Sequence, residues 1–185
     1  MYSDGEGTSL LFWGTLFGIL AGFTITTGLQ LIENKWNFFE LDWGQIVNNS
    51  IVGGSLGFSF AMGVVYLGPV LAGSATVSGM SATIAFAISI GVNFTAGSFG
   101  YVMEEIMNGR TVYLDDVIYN GIMVSIEGAI KFFFGGIAGS VGKIGTKGKP
   151  LRSKEWWLKF VFGQEFTAPF KYGIDLLRRI KKRNE

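Results

Sequence analysis

The chain has no cysteine and no histidine, and charged side chains make up only 16% of its 185 residues. Without cysteine it has no disulfide, thiol nucleophile or thiolate metal ligand. Without histidine it lacks the imidazole that supplies much acid–base catalysis, including the usual Ser-His-Asp triad. Proline is scarce, with 3 residues, whereas glycine is abundant, with 28. These absences exclude most enzyme classes, and the low charge content indicates a membrane protein.

The few charges are unevenly distributed. Residues 1–142 carry three basic and ten acidic side chains, whereas residues 143–185 carry twelve basic and four acidic ones. Residues 1–142 thus have a net charge of −7 and residues 143–185 one of +8. A basic segment of this kind is typical of a tail that meets an anionic surface, either a membrane or a nucleic acid. We therefore divide the chain into a glycine-rich, membrane-inserting domain, 1–142, and a basic aromatic interfacial tail, 143–185.

Long uncharged runs lie in the first part of the chain. The longest covers 61 residues, Trp43 to Met103. A bilayer-spanning helix needs about 20 mostly apolar residues, so the sequence predicts four spans, at 8–32, 51–73, 80–101 and 117–141. A soluble helical bundle is the alternative, but it would need polar helix faces, for which the long run offers only uncharged side chains. A water-soluble state before membrane insertion is compatible with both the four-span membrane protein and the soluble bundle.

The predicted fold class is all-α, with the four hydrophobic helices arranged as two hairpins and basic amphipathic helices at the C-terminus. The connections within the two hairpins resemble each other, since each ends in a Leu-Asp pair, Leu41-Asp42 and Leu114-Asp115. We expect each Asp to cap the helix that follows, because a carboxylate there accepts hydrogen bonds from free backbone amides. The likeness indicates either a duplicated hairpin or convergent hairpin chemistry.

Small residues recur at every fourth position in each span. Residues four apart share one helix face, so two backbones can approach closely there, which is a main source of helix association in lipid. These faces either pack a monomeric four-helix bundle or join several copies into a pore; the sequence does not tell whether the partner helix belongs to the same chain. The predicted packing residues are Gly14, Gly18, Gly22, Gly53, Gly57, Ala61, Gly135 and Gly139.

Glu127 and Lys131 are the ionisable residues within the predicted spans, and they are four residues apart. Charges inside a membrane usually face a partner or an aqueous path. With Asn93 they are the candidate pore-lining residues. The alternatives are a pair that only neutralises itself on one helix face, or a solvated face if the helix lies at the interface.

Aromatic and basic residues alternate in the tail, which predicts amphipathic helices lying on an anionic membrane surface. A nucleic-acid surface is the weaker alternative for so apolar a chain. The positive-inside rule would place the tail in the cytoplasm and both hairpin connections outside. The candidate membrane-surface residues are Trp156, Trp157, Lys159, Arg178, Arg179 and Lys182.

Catalysis is not expected. The adjacent acids Glu104-Glu105 and Asp115-Asp116 would point about 100° apart on a helix, so neither pair converges on one proton. The glycine-rich segments lack the GxxxxGK[ST] pattern of a phosphate-binding loop. We therefore predict no enzyme activity, cofactor, metal, small-molecule substrate or nucleic-acid partner.

The small-residue repeats, the connection from Asn108 to Asp115 and the run Gly135 to Gly139 before a basic end resemble one protein family. They are similar to the glycine-rich C-terminal toxin domains of bacterial polymorphic toxins of the LXG or RHS-repeat type. The resemblance covers roughly residues 8–149. It implies an antibacterial effector, secreted by its producer, that inserts into a target membrane, depolarises it as a homo-oligomeric pore, and is neutralised by a membrane immunity protein.

Two other readings stay open from the sequence. One is a non-toxic small integral membrane protein, such as a holin-like, translocase-like or immunity component. The other is a soluble, chaperone-bound precursor, which is compatible with the toxin before insertion.

Overall fold

The computed structural model describes residues 5–73 and 81–145. All regular structure in these ranges is helical: α1 Gly5–Glu33, a 3-10 turn Phe38–Glu40, α2 Trp43–Met62, a π-helical turn Gly63–Leu67, α3 Gly68–Leu71, α4 Ala82–Met107 and α5 Leu114–Gly145. The predicted all-α class is confirmed. The tail beyond residue 145, with the amphipathic helices predicted there, lies outside the described residues.

Four stretches are long and apolar enough to cross a membrane: Ser9–Glu33, Trp43–Leu71, Ala82–Met107 and Leu114–Ser140. The number of spans is therefore as predicted, but three of them extend further than predicted. The second begins at residue 43 rather than 51, because Asp42 accepts a hydrogen bond from the Gln45 amide at 2.9 Å and starts the helix there. The third continues through Glu104 and Glu105, so this acidic pair is helical.

The two hairpins pair α1 with α2 and α4 with α5, and α2 is the central helix because it also packs against α4 and α5. In each of the pairs α1–α2, α2–α4 and α4–α5, residues near the start of one helix lie against residues near the end of the other. The two helices of each pair are therefore antiparallel. Consequently both hairpin connections lie at one end of the bundle, the connection end.

Both hairpin connections begin with the same helix-ending motif. After α4, the amides of Gly109 and Arg110 donate to the carbonyls of Ile106 and Glu105, and Gly109 has a φ of 64°. This is a Schellman motif, in which glycine suits the left-handed position. The end of α1 repeats it with Lys35, at a φ of 51°, in the glycine position. The resemblance between the connections therefore extends to their backbone hydrogen bonds.

The resemblance fails at the start of α5. The helix already begins at Leu114, so Asp115 lies within its first turn rather than before it. The prediction of a helix cap is therefore right for Asp42 and wrong for Asp115. Carboxylates in the first turn of a helix still favour it, since they oppose the positive end of the helix dipole.

The continuous helical span that contains α2 changes to π-helical spacing at Gly63–Leu67, just before Pro69. Proline has no amide hydrogen, so it cannot donate to the carbonyl four residues earlier. The Gly68 amide instead bonds to the Gly63 carbonyl, five residues back, which is the π-helical spacing. Gly63 and Gly68 both lie against the backbone of α5, so the widened turn packs closely on this helix.

Candidate functional site

A group of buried polar side chains lies between α2 and α4 at the centre of the bundle. Asn93 is completely buried, and its amide nitrogen donates to the Ser59 hydroxyl and, at 2.6 Å, to the Ser89 carbonyl. The Ser89 hydroxyl donates to the Ser59 oxygen at 2.6 Å. The Asn93 carbonyl oxygen has no conventional partner, and the amide group as a whole packs against Gly128 of α5. Three helices therefore meet at one amide.

The polar contact between α2 and α4 is repeated at the connection end. The Asn48 amide nitrogen donates to a Glu104 carboxylate oxygen at 2.5 Å. Arg110 approaches both acids of α4, at 3.3 Å from Glu104 and 2.9 Å from Glu105. This arginine offsets two negative charges that would otherwise lie at the negative end of a helix dipole. We call Asn48, Ser59, Ser89, Asn93 and Glu104 the polar seam.

Asn48 and Asn93 each pack against a glycine of a neighbouring helix. Asn48 places its carbonyl oxygen against Gly100 of α4, whereas the Asn93 atom nearest to Gly128 of α5 is the amide nitrogen; neither carbonyl oxygen has a conventional donor. A glycine Cα–H is a weak hydrogen-bond donor at such helix contacts. A Cβ at either glycine would collide with the amide. The glycines of α4 and α5 therefore make room for polar side chains and not only for neighbouring backbones.

The two hairpins are also joined next to the seam by Asp42 and Asn108. The Asn108 amide donates to both Asp42 carboxylate oxygens, at 3.0 and 3.1 Å, while the same carboxylate caps α2. Gln30, near the end of α1, also bonds to this group. Its side-chain oxygen accepts a hydrogen bond from the Asp42 backbone amide, and its side-chain nitrogen donates to the Gln45 side chain. The Asp42 carboxylate thus joins α2 to the end of α4, and its backbone amide adds the end of α1.

Replacing Asp42 or Asn108 by alanine should lower the stability of the bundle. Asp42→Ala removes a helix cap, worth about 1 kcal/mol, and the bond to Asn108. Since the two changes share one contact, the double variant should be less destabilised than the sum, by about 1 kcal/mol. Unfolding in detergent micelles, followed by circular dichroism, measures the four free energies. Strictly additive losses would show that the contact contributes nothing.

The two charged pore-lining candidates lie on α5, Glu127 directly before Gly128 and Lys131 three residues after it. Lys131 is buried and Glu127 is half-buried, and both have interaction partners. The neighbouring Phe132 contacts Gly63, which places Lys131 about one helical turn further along the bundle than Ser59. All three pore-lining candidates are thus at least partly enclosed by the bundle, and Asn93 belongs directly to the polar seam.

The predicted packing glycines of α1 face those of α2 within one chain. Gly14 lies against Gly57 and Ala61, Gly18 against Gly53, and Gly22 against the backbone of Asn49. A Cβ added at Gly14 would be 2.8 Å from both the Ala61 Cβ and the Gly57 oxygen. The sequence left open whether these faces meet in one copy or between copies; in this structure they meet in one.

The remaining predicted glycines join the two hairpins. Gly135 packs against the backbone of Phe60 and Val64, and Gly139 against Val64 and Gly68. These contacts lie between α5 and the second half of the α2 span, at the end opposite the connections. The two hairpins are therefore held by polar groups at one end and by close backbone contacts at the other.

The candidate membrane-surface residues lie outside the described residues: Trp156, Trp157, Lys159, Arg178, Arg179 and Lys182. The roles of Ser59, Ser89 and Asn108 were not predicted. A signal for two of them is present in the sequence, since Ser55 and Ser59, like Ser89 and Asn93, are four residues apart and share a helix face. The spacing of residues along one helix does not show which face of another helix packs against it.

No protein-family model, curated protein or solved structure matches this chain. Among the described residues, no group of acidic side chains has the arrangement of a metal site.

Proposed function

We propose that this chain is a membrane-inserting toxin domain that permeabilises a bacterial membrane, and that ions pass along the polar seam between its two hairpins. The observation that carries the proposal is the seam itself, a set of polar side chains between two helices of membrane-spanning length, all of them buried except the half-buried Glu104. Polar and ionisable groups inside a membrane are costly, and they usually mark ion or substrate pathways. The resemblance to polymorphic-toxin domains agrees with this reading.

The dimensions of the seam fit such a path. Asn48 and Ser59 are separated by about 16 Å along α2, at the rise of a regular helix. Lys131 adds about one further turn, so the polar groups follow roughly two thirds of the ~30 Å hydrocarbon thickness. The seam lies where the hairpins meet through side chains, so a small separation of the hairpins would admit water between them.

The proposed path lies within one bundle. The glycine faces that could have joined several copies are occupied by helices of the same chain, so the homo-oligomer suggested by the sequence is not needed to line the path. The bilayer is the partner that the proposal requires. A membrane immunity protein in the producing cell is a second partner, implied by the resemblance.

Charge-neutralising variants of Glu127 and Lys131 test the proposal. If these residues face the path, Glu127→Gln leaves the lysine charge in excess and shifts selectivity toward anions, whereas Lys131→Gln shifts it toward cations. Reversal potentials in a planar bilayer under a salt gradient measure both shifts. Identical potentials with lower protein yield would instead assign the pair a structural role, at a cost of a few kcal/mol at most.

The second candidate function is a non-toxic integral membrane protein. It is favoured by the close backbone contacts between α2 and α5, which are typical of a bundle built for packing alone. Inducible expression in a bacterium, with a dye that reports membrane potential, separates the two. Depolarisation supports the toxin; normal potential at a comparable membrane level of the protein supports the non-toxic protein.

A further inference from the structure

The connection between α1 and α2, together with the first residue of α2, exposes four large aromatic side chains. Phe39 is 100% exposed, and Trp36, Phe38 and Trp43 are each more than half exposed. We call these four residues the aromatic loop. Exposed apolar patches on a protein surface usually mark a contact with another molecule or with a membrane. The loop lies at the connection end, outside the polar seam.

The backbone of this connection holds the aromatic residues outward. Asn37 accepts a hydrogen bond from the Phe39 amide at 3.2 Å and donates to the Glu40 carboxylate at 2.8 Å. Asn34 donates to the Glu40 carbonyl at 2.8 Å, and the Trp36 amide donates to the Leu31 carbonyl at 2.7 Å. A flexible connection would let the rings fold against the bundle, whereas this one is fixed at both ends.

Two residues in the connection adopt an unfavourable backbone conformation. Lys35 and Trp36 have φ values of 51° and 66°, in the left-handed region that favours glycine. In the second connection, the position equivalent to Lys35 is occupied by Gly109. Backbone strain of this kind persists only where the surrounding structure enforces it, and it is common at functional sites. Here it directs Trp36 away from the bundle.

The aromatic loop continues the lipid-facing surface of the first hairpin. Leu29 and Ile32, in the last turns of α1, are more than half exposed, and α1 itself is of membrane-spanning length. Tryptophan and other aromatic rings are enriched at the level of the lipid headgroups, where an apolar ring body and a polar surrounding coexist. Glu33 precedes the loop and Glu40 lies between Phe39 and Trp43, and both carboxylate residues are exposed.

We infer that the aromatic loop is a lipid-binding surface that inserts into the headgroup region of the bilayer and anchors the connection end there. Its ligand is the lipid interface, not a protein. The surface is separate from the proposed ion path, so anchoring does not require that the chain conducts ions. It does require that α1 spans the membrane.

The absence of native cysteine allows a site-specific test. Phe39→Cys is labelled with a polarity-sensitive fluorophore and reconstituted into phosphatidylcholine–phosphatidylglycerol vesicles; Phe39 makes no packing contact to lose, because it is fully exposed. Leu20→Cys, half exposed in the middle of α1, and Thr111→Cys, exposed in the other connection, are the matched controls. Phe38→Cys is the second loop variant.

We expect the labels at Phe39 and Phe38 to show blue-shifted emission, strong quenching by lipids spin-labelled near the headgroup, and several-fold weaker quenching by aqueous iodide than the Thr111 label. The Leu20 label should be quenched by lipids spin-labelled at the chain end. Iodide quenching at the loop equal to that at Thr111 would overturn the inference while leaving the membrane span intact. Shielding from iodide without lipid quenching would also overturn it, since a protein would then cover the loop.

Discussion

Leucine at Gly18 should prevent α1 from packing on α2. A Cβ at this position would collide with the Gly53 carbonyl and lie 3.2 Å from the Gly54 Cα, and backbone atoms cannot rotate out of the way. We expect a loss of about 3 kcal/mol, at the upper end of the cost of overpacking. Unfolding in detergent micelles, followed by circular dichroism, measures this loss.

Gly28→Leu is the matched control for this variant. Gly28 lies on the same helix, but a Cβ there would meet nothing within 4 Å. The substitution adds the same side chain, so helix propensity and hydrophobicity change equally, and stability should equal that of the wild type or exceed it by up to about 1 kcal/mol. Equal losses for both variants would contradict the contact. A folded monomer from Gly18→Leu, where the wild type is an oligomer, would place the contact between copies instead.

Leucine at Asn93 should abolish most of the proposed ion passage. The substitution places an apolar side chain at the centre of the polar seam, and hydrophobic constrictions stop conduction by excluding water. We expect the depolarisation rate to fall about tenfold or more. The cost in stability should be smaller than about 2 kcal/mol, because hydrogen bonds between membrane helices contribute little each.

Thr95→Val provides the comparison on the same helix. Thr95 is exposed, and its hydroxyl donates only within α4, to the Gly91 carbonyl at 3.0 Å. The variant removes a hydroxyl of the same helix from the lipid-facing side and should leave depolarisation unchanged. A membrane-potential dye and protein yield are measured together for both variants. Unchanged depolarisation in Asn93→Leu, at normal yield, would exclude the seam as the path.

Part of this molecule follows from local sequence alone. The uncharged runs determine the number of spans, because span length depends only on the composition of neighbouring residues. The cap at Asp42 is also local, since a carboxylate bonds to an amide three residues away. The same local rule failed at Asp115. There α5 begins at Leu114, the residue before Asp115, so the acid lies within the first turn of the helix and does not precede it.

The repeat of small residues every four positions determines which face of each helix can approach another backbone. It does not determine the partner, because Gly14, Gly18 and Gly22 would fit the small-residue face of any other span equally well. Only the tertiary structure assigns them to Gly57, Gly53 and Asn49 of the same chain. The pairing is set by the short α1–α2 connection together with the packing of α2 against the second hairpin.

The polar seam also depends on tertiary structure. The sequence singles out Asn93 because amides are costly in a membrane, but Ser59 and Ser89 are ordinary residues of apolar helices until α2 and α4 meet. Their contacts span 30 and 34 positions of the chain, and that between Asn48 and Glu104 spans 56. Helical periodicity predicts which residues share one face of a single helix. Which two faces share a hydrogen bond is decided by how all four helices minimise exposed polar surface at once.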